Sequence, residues 1–373
     1  MPVGESLQEA FALRVWRIHP EVNMIKSKMT EMFGTQHPIM LAGMNWISTP
    51  KLVAAVSNAG GLGTLAIAQY SPEDTRKYIR QIRELTSQPF MINQPLHRGW
   101  AKENIQVAIE EKVPFVNYSL GKPWFIDQVH AYGGKVIGTI AIAKHASRAV
   151  ELGCDALIVT GHEAAAHGAE ATSMVLIPLV TSLVKVPVIA AGGFYDGRGL
   201  AAALSLGAGG ISLGTRFILT QESPVHDNFK QLCLKASEQD TLYSSAFDGM
   251  PGRALKSSMA EKLVRGESFS LLKAIPNALE IKGVLKQNWW QFLGTAWKMM
   301  AGEGGDLIQM ARLANGTIRH QKAIYEGDTR EGFMFAGQAT GAIRDLPTVK
   351  ELIDRIIAEA EAALRKTGGM IVS

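Results

Sequence analysis

Residues 186–217 read VPVIAAGGFYDGRGLAAALSLGAGGISLGTRF. Two short apolar runs, VPVIAA (186–191) and GGISLG (209–214), flank a stretch of helix length, and glycines follow each run closely. Strands buried on both faces read as continuous apolar runs, and a helix-length connection between two of them is the crossover unit of a parallel sheet. Outward from this unit, toward the N-terminus, the same texture recurs. The further runs are IMLA (39–42), GTLAI (63–67), FMINQ (90–94), PFVNYS (114–119), KVIGTI (135–140) and DALIVT (155–160), which bring the series to eight. Between them, Ser48-Thr49-Pro50 sets a proline at a first helical position and SPEDT (71–75) opens the next helix, both expected as capped starts. Eight such units in about 200 residues match a small (β/α)8 barrel, whereas a doubly wound sheet usually has fewer strands. The expected class is α/β: a (β/α)8 TIM barrel with a smaller, mostly helical C-terminal or inserted subdomain.

Composition sets the outer bounds. The 373 residues are 47% hydrophobic and 19% charged, enough to bury a sizeable core and inconsistent with a disordered chain. Net charge is +4 with no lysine or arginine block, so no nucleic-acid partner is expected. The longest apolar runs, such as MVLIPLV (174–180), are too short to span a membrane, and the N-terminus lacks the pattern of a secretory signal. Leu7, Phe11 and Val15 lie at helical spacing in what reads as an amphipathic extension, with Met24 as a second candidate start. Cys154 and Cys233, in apolar or helical contexts, suggest no disulfide framework and a reducing, cytoplasmic location. The division expected is an extension over 1–26, the barrel over 27–235, a smaller substrate or lid subdomain over 236–325, and a return segment with a C-terminal helix over 326–373. DTLYSSAFDGMPGRAL (240–255) reads as irregular strand and turn, and Trp290, Leu293 and Trp297 form a helical stripe expected at a core or domain interface. A homodimer is compatible with the chain, which does not fix the oligomeric state.

A (β/α)8 barrel works at the C-terminal ends of its strands, and a phosphate is often held after strands 7 and 8. Here those loops carry Gly192-Gly193 and Gly214-Thr215, a set of backbone N–H groups and a hydroxyl suited to a phosphate monoester. The first strand runs into Ala42-Gly43-Met44, where a flat ring can lie against backbone. The third ends in Asn93-Gln94, which either hydrogen-bonds the edge of a heterocycle or caps the strand.

After the sixth run comes GHEAAAHGAEATS (161–173). A zinc-protease helix sets two histidines four residues apart, but His162 and His167 are five apart. On a helix that separation leaves the side chains about 140° apart, and on a strand it points them to opposite faces. With no third ligand nearby, no metal site is expected. The stretch reads instead as a loop at the catalytic face, with Glu163 and Glu170 as solvated or capping acids and Thr172-Ser173 as the better helix caps.

Over residues 27–350 the chain resembles the nitronate monooxygenase (2-nitropropane dioxygenase-like) family of FMN-dependent barrels, which includes NADH:quinone reductases and is similar to flavin-containing enoyl-acyl carrier protein reductases. The resemblance rests on PIMLAGM, LVAAVSNAGGLGTL, HEAAAHG, PVIAAGGFYDGRGLAAALSLGA, SLGTRF and GQATGAIRDLP. It implies FMN lying against Ala42, Gly43 and Met44, with Asn93 at its polar portion. It implies that Gly192, Gly193, Gly214 and Thr215 hold the phosphate and that Gln338 approaches the flavin or supports the site. Thr139 stands where some relatives carry a lysine, and Ala165-Ala166 where they commonly carry glycines, which implies a stiffer loop and a smaller pocket. His167 aligns with the histidine used near flavin N5, and His162 with a variable position. A histidine changes charge near physiological pH, so His167 can take a proton from a nitroalkane carbon or hydrogen-bond a nitronate or quinone oxygen.

The activity so implied is oxidation of an alkyl nitronate with O2 to a carbonyl compound and nitrite. The alternative is an NAD(P)H-dependent reductase of quinones or enoyl thioesters at the same FMN site, with NAD(P)H as co-substrate. A third reading, a non-redox phosphate-binding isomerase or sensor, would keep the glycine loops without the flavin. In each case the partner is a small-molecule substrate.

Overall fold

The computed structural model describes residues 25–97, 99–267 and 315–371. Eight parallel strands form the barrel: β1 (Ile39–Leu41), β2 (Gly63–Ala66), β3 (Phe90–Pro95), β4 (Phe115–Ser119), β5 (Lys135–Ile140), β6 (Ala156–Thr160), β8 (Val188–Ala191) and β9 (Gly210–Leu213). All eight apolar runs are strands. Their order is β1-β9-β8-β6-β5-β4-β3-β2, and Leu62, next to β2, closes the ring by accepting from Leu41 N and donating to Ile39 O, both at 2.9 Å.

Side-chain alternation explains why the runs are apolar throughout. In β1, Ile39 and Leu41 pack outward on the helices while Met40 joins an inner cluster with Met91, Phe115, Ile137 and Ile189. Successive residues of a strand face opposite ways, and here both faces are covered. A helix ahead of the first strand, Lys28–Phe33, adds Met29 and Phe33 to the inner cluster, with the Phe33 ring 4.8 Å from that of Phe115.

The helix starts differ in detail from expectation. Ser71 caps its helix through the Asp74 N–H, as its sequence implies. Thr49 makes no side-chain cap, although Pro50 does sit at the first position. The neighbouring Ser48 is instead spent on the loop after β1, accepting from Met44 N and donating to Ala42 O. The C-terminal helix, Val349–Gly368, opens on a capping box of Thr348 and Glu351 and packs on the helices Gly197–Ser205 and Pro50–Asn58. Gly197 makes that seat possible, since a Cβ there would stand 2.3 Å from backbone atoms of Ile356 and Ala360.

The 240–255 stretch forms a hairpin, β10 (Thr241–Ser244) with β11 (Gly252–Leu255), and β11 also pairs with β7 (Ala166–His167) inside the loop after β6. Residues 1–24 of the extension expected over 1–26, and the tryptophan stripe near 290, lie outside the described residues. Among the described residues no helix is long and apolar enough to cross a membrane.

Candidate active site

The C-terminal ends of the strands surround one cavity of about 870 Å3, near the top of the range of about 300–1,000 Å3 usual for small-molecule sites. Ala42, Gly43, Met44, Asn93, Thr139, His167, Gly192, Gly193, Gly214 and Thr215 all line it. The chain thus brings together every expected site residue except Gln338, whose neighbours Gly337 and Ala339 reach the lining instead. Gln338 acts through its backbone: its N–H donates to Glu163 O at 2.9 Å and ties the return segment to the loop after β6.

At the end of β8, Gly192 (φ 101°) and Gly193 (φ 81°) adopt left-handed backbone that an L side chain resists. Across from them the Thr215 hydroxyl accepts the Gly337 N–H at 2.9 Å, which leaves its own hydrogen to donate. A loop without side chains beside a hydroxyl donor suits a phosphate monoester. At the end of β1, a Cβ on Gly43 would lie 2.6 Å from Asn93 Cβ. The bare Gly43 backbone is therefore what lets Asn93 lie across it.

Asn93 does not act alone. Its Nδ2 donates to Asn117 Oδ1, and Asn117 Nδ2 donates to Thr139 Oγ1 at 2.9 Å. Three neighbouring strands thus present a connected polar strip at the cavity floor. Asn117 was not singled out from the sequence, although a polar residue inside PFVNYS at the register of Asn93 is a readable signal. The glycine loops, the Gly43 backbone and this strip fit the phosphate, flat ring and polar edge of FMN.

The two histidines have different surroundings. His162 Nδ1 bonds the Ala169 carbonyl at 2.9 Å and its ring rests 4.6 Å from that of Tyr243. Its own carbonyl accepts from Arg253 Nε. His162 therefore holds the loop shape. His167, on the cavity wall, donates from Nε2 to Asp248 Oδ2 at 2.9 Å. A carboxylate only accepts, so Nε2 carries the hydrogen and Nδ1 is the basic nitrogen. Asp248 is buried at 6% exposure, lies in the turn between β10 and β11, and also lines the cavity. No sequence signal marked Asp248, since an aspartate ahead of glycine in a turn reads as turn chemistry.

Of the two roles the sequence leaves Glu163, solvated acid or helix cap, it takes the cap. Its carboxylate accepts from Ser173 N at 2.9 Å and from Ser173 Oγ at 3.0 Å, capping the helix Ser173–Leu183. Thr172 makes no side-chain cap there. Ala165 lines the cavity, and Ala166 is fixed in β7 opposite Arg253. Among the described residues no group of three or more His, Cys, Asp or Glu is disposed to hold a metal ion.

Comparison with known proteins places this geometry. The family model described as nitronate monooxygenase matches residues 26–105 and 96–359. The chain is 37% identical over 351 residues to the (3aS,4S,5R,7aS)-5-hydroxy-7a-methyl-1-oxo-octahydro-1H-indene-4-carboxyl-CoA dehydrogenase of Rhodococcus jostii, covering 94% of this chain and 99% of that one. It is 29% identical over 289 residues to a probable nitronate monooxygenase of Staphylococcus aureus, covering 65% and 81%. Among solved structures, FabK from Thermotoga maritima superposes with a TM-score of 0.76 at 34% identity, covering 93% of this chain and all of that one. A (β/α)8 oxidoreductase with these matches across its length belongs to the nitronate monooxygenase family.

Proposed function

We propose that this protein is an FMN-dependent oxidoreductase whose substrate is a bulky acyl thioester. The observation that carries this reading is the cavity. At about 870 Å3 it has room for a flavin and for an organic substrate much larger than a short nitroalkane. Similarity to a carboxyl-CoA dehydrogenase along nearly the whole chain supports the same substrate class.

FMN, when bound, supplies the capacity to accept and return a hydride equivalent. Gly192, Gly193, Gly214 and Thr215 would hold its phosphate, while Ala42, Gly43, Met44 and the Asn93–Asn117–Thr139 strip would hold its ring. His167 moves the proton. In the oxidative direction Nδ1 takes the hydroxyl proton as the carbon bearing it becomes a carbonyl, and in reduction His167 returns a proton to the product. Asp248 keeps the imidazole in the tautomer that leaves Nδ1 basic and stabilises the imidazolium formed. NAD(P)H or NAD(P)+, or a quinone, closes the electron balance as second substrate.

The test is single-turnover and steady-state kinetics of the flavin-loaded protein with hydroxyacyl-CoA and enoyl-CoA thioesters. His167→Ala is expected to lower turnover by about 10²–10⁴-fold with flavin still bound. Inert thioesters alongside brisk nitronate turnover would overturn the reading.

Oxidation of an alkyl nitronate with O2 is the second reading. The similarity to a probable nitronate monooxygenase of Staphylococcus aureus favours it. Anaerobic mixing with NADH or NADPH separates the two: rapid bleaching of the flavin supports a pyridine-nucleotide-linked reaction, and a slow response supports the nitronate. The non-redox reading loses support, because the matched family and relatives are named as oxidoreductases.

A further inference from the structure

The cavity has two ends with opposite designs. One end, over β8 and β9, carries Gly192, Gly193, Gly214 and the Thr215 hydroxyl. The other runs outward past β3, β4 and β5 and is lined by His97, Lys122, His145 and Arg148. In the strand order these ends lie across the ring, with β6 and its His167 loop between β5 and β8.

Charge is unevenly shared along this wall. Among the described lining residues the only acids are Glu163 and Asp248. Both are engaged, Glu163 on Ser173 and Asp248 on His167. No lining carboxylate therefore belongs to the β3–β5 end, and a cleft lined by one sign of charge concentrates the opposite charge. Arg148 pairs with Glu151, but both side chains are more than 60% exposed. An ion pair that open is weak and gives way to a stronger anion.

The same end carries exposed apolar surface. Leu120 and Ile142 line it, at 44% and 41% exposure. Leu120 has φ 53°, a left-handed conformation that costs a non-glycine residue free energy and that clusters at ligand-binding sites. It and Gly121 (φ 153°) turn the chain from β4 into Lys122. Apolar stems interleaved with cations suit a ligand that is partly aliphatic and partly phosphorylated.

We propose that this β3–β5 end binds the phosphorylated tail of coenzyme A, its pantetheine arm against Leu120 and Ile142 and its phosphates toward Lys122, His145 and Arg148. The assignment rests on the acyl-thioester reading above and gives the cavity two anion sites, one for the flavin phosphate and one for the substrate tail. With the acyl group near His167, the tail leaves by the end of the cavity that the flavin phosphate does not use.

The test is equilibrium binding of coenzyme A and of pantetheine to the flavin-loaded protein by titration calorimetry, at low and high salt. The wild-type protein is expected to bind coenzyme A at least about tenfold more tightly than pantetheine at low salt, with the advantage shrinking as salt screens exposed charge. Lys122→Glu/Arg148→Glu is expected to bring the two affinities together while flavin content holds. Equal affinities in the wild type, or a coenzyme A preference that survives the double substitution, would overturn the tail site. Turnover of a pantetheine thioester tests the thioester reading separately. A salt-sensitive coenzyme A preference without such turnover upholds the site and counts against the reading, and turnover without the preference does the reverse.

Discussion

At the scale of single residues, the informative pair is His167 and Asp248. A histidine on the wall of a cavity is common, but one whose Nε2 is held at 2.9 Å by a buried carboxylate has a fixed tautomer and a fixed ring plane. Asp248 is thus a positioning residue. Asp248→Asn keeps the size of the side chain and offers the ring an amide in place of a carboxylate. It is expected to lower kcat by about 10–100-fold with KM and flavin content near wild type, and Asp248→Glu is expected to restore part of the loss. Steady-state kinetics checks this. A change in KM or in bound flavin with kcat preserved would assign Asp248 a structural role only. His162, five residues earlier, shows how little residue type alone decides: the same imidazole, turned to the Ala169 carbonyl, is scaffolding.

At the scale of elements, the loop after β6 is built by its neighbours. The hairpin of β10 and β11 lends it an edge, Tyr243 OH donates to Gly168 O at 3.0 Å, and Arg253 grips the His162 carbonyl. Its second anchor is Glu163, which caps a helix whose own Thr172 does not. Glu163→Gln removes the charged acceptor at that helix start and weakens the hold on the loop. Stability is expected to fall by about 0.5–2 kcal/mol, read from denaturant unfolding. Because the cap also fixes one flank of the cavity, activity is expected to fall further than stability alone accounts for. An unfolding midpoint equal to wild type would show that Thr172 or water takes over the cap.

At the scale of the whole molecule, the return segment is locked to the barrel by a buried cation. Arg216, directly after the Thr215 hydroxyl, donates to Asp345 Oδ1 at 2.8 Å and to Leu219 O at 2.7 Å. Burial lowers the Arg216 pKa from its ordinary value, and the charge and hydrogen bond of Asp345 act against that shift. For Asp345, burial acts to raise the pKa. The Arg355 hydrogen bond and the charges of Arg216 and Arg355 outweigh it, so the carboxyl titrates below its ordinary 3.8. A carboxyl lowered by folding contributes stability above its unfolded pKa, and that contribution is lost as pH falls through the folded value. Wild type is therefore expected to melt above Asp345→Asn at neutral pH, with the gap closing as pH drops below about 4. Thermal melts across pH 3–7 measure this, and a gap independent of pH would exclude the charge as its source.

Much was legible because it is local or periodic. Eight apolar runs, the proline and serine at helix starts and the glycines after β8 and β9 follow from side-chain burial, backbone freedom and short-range hydrogen bonds. Each is fixed within a few residues of itself. The assignment of His167 rather than His162 came from resemblance, because spacing alone separates two histidines without ranking them. What the sequence by itself determined is the barrel and the two glycine loops after β8 and β9, where the proposed function puts a phosphate. Only the tertiary structure decided that Asp248, 81 residues beyond His167, is its partner, that Glu163 rather than Thr172 caps the helix after the loop, and that Lys122 from a loop and Arg148 from a helix share one end of the cavity. Those pairings join positions far apart in the chain, whose meeting is set by strand order and register, and no local pattern of residues encodes it.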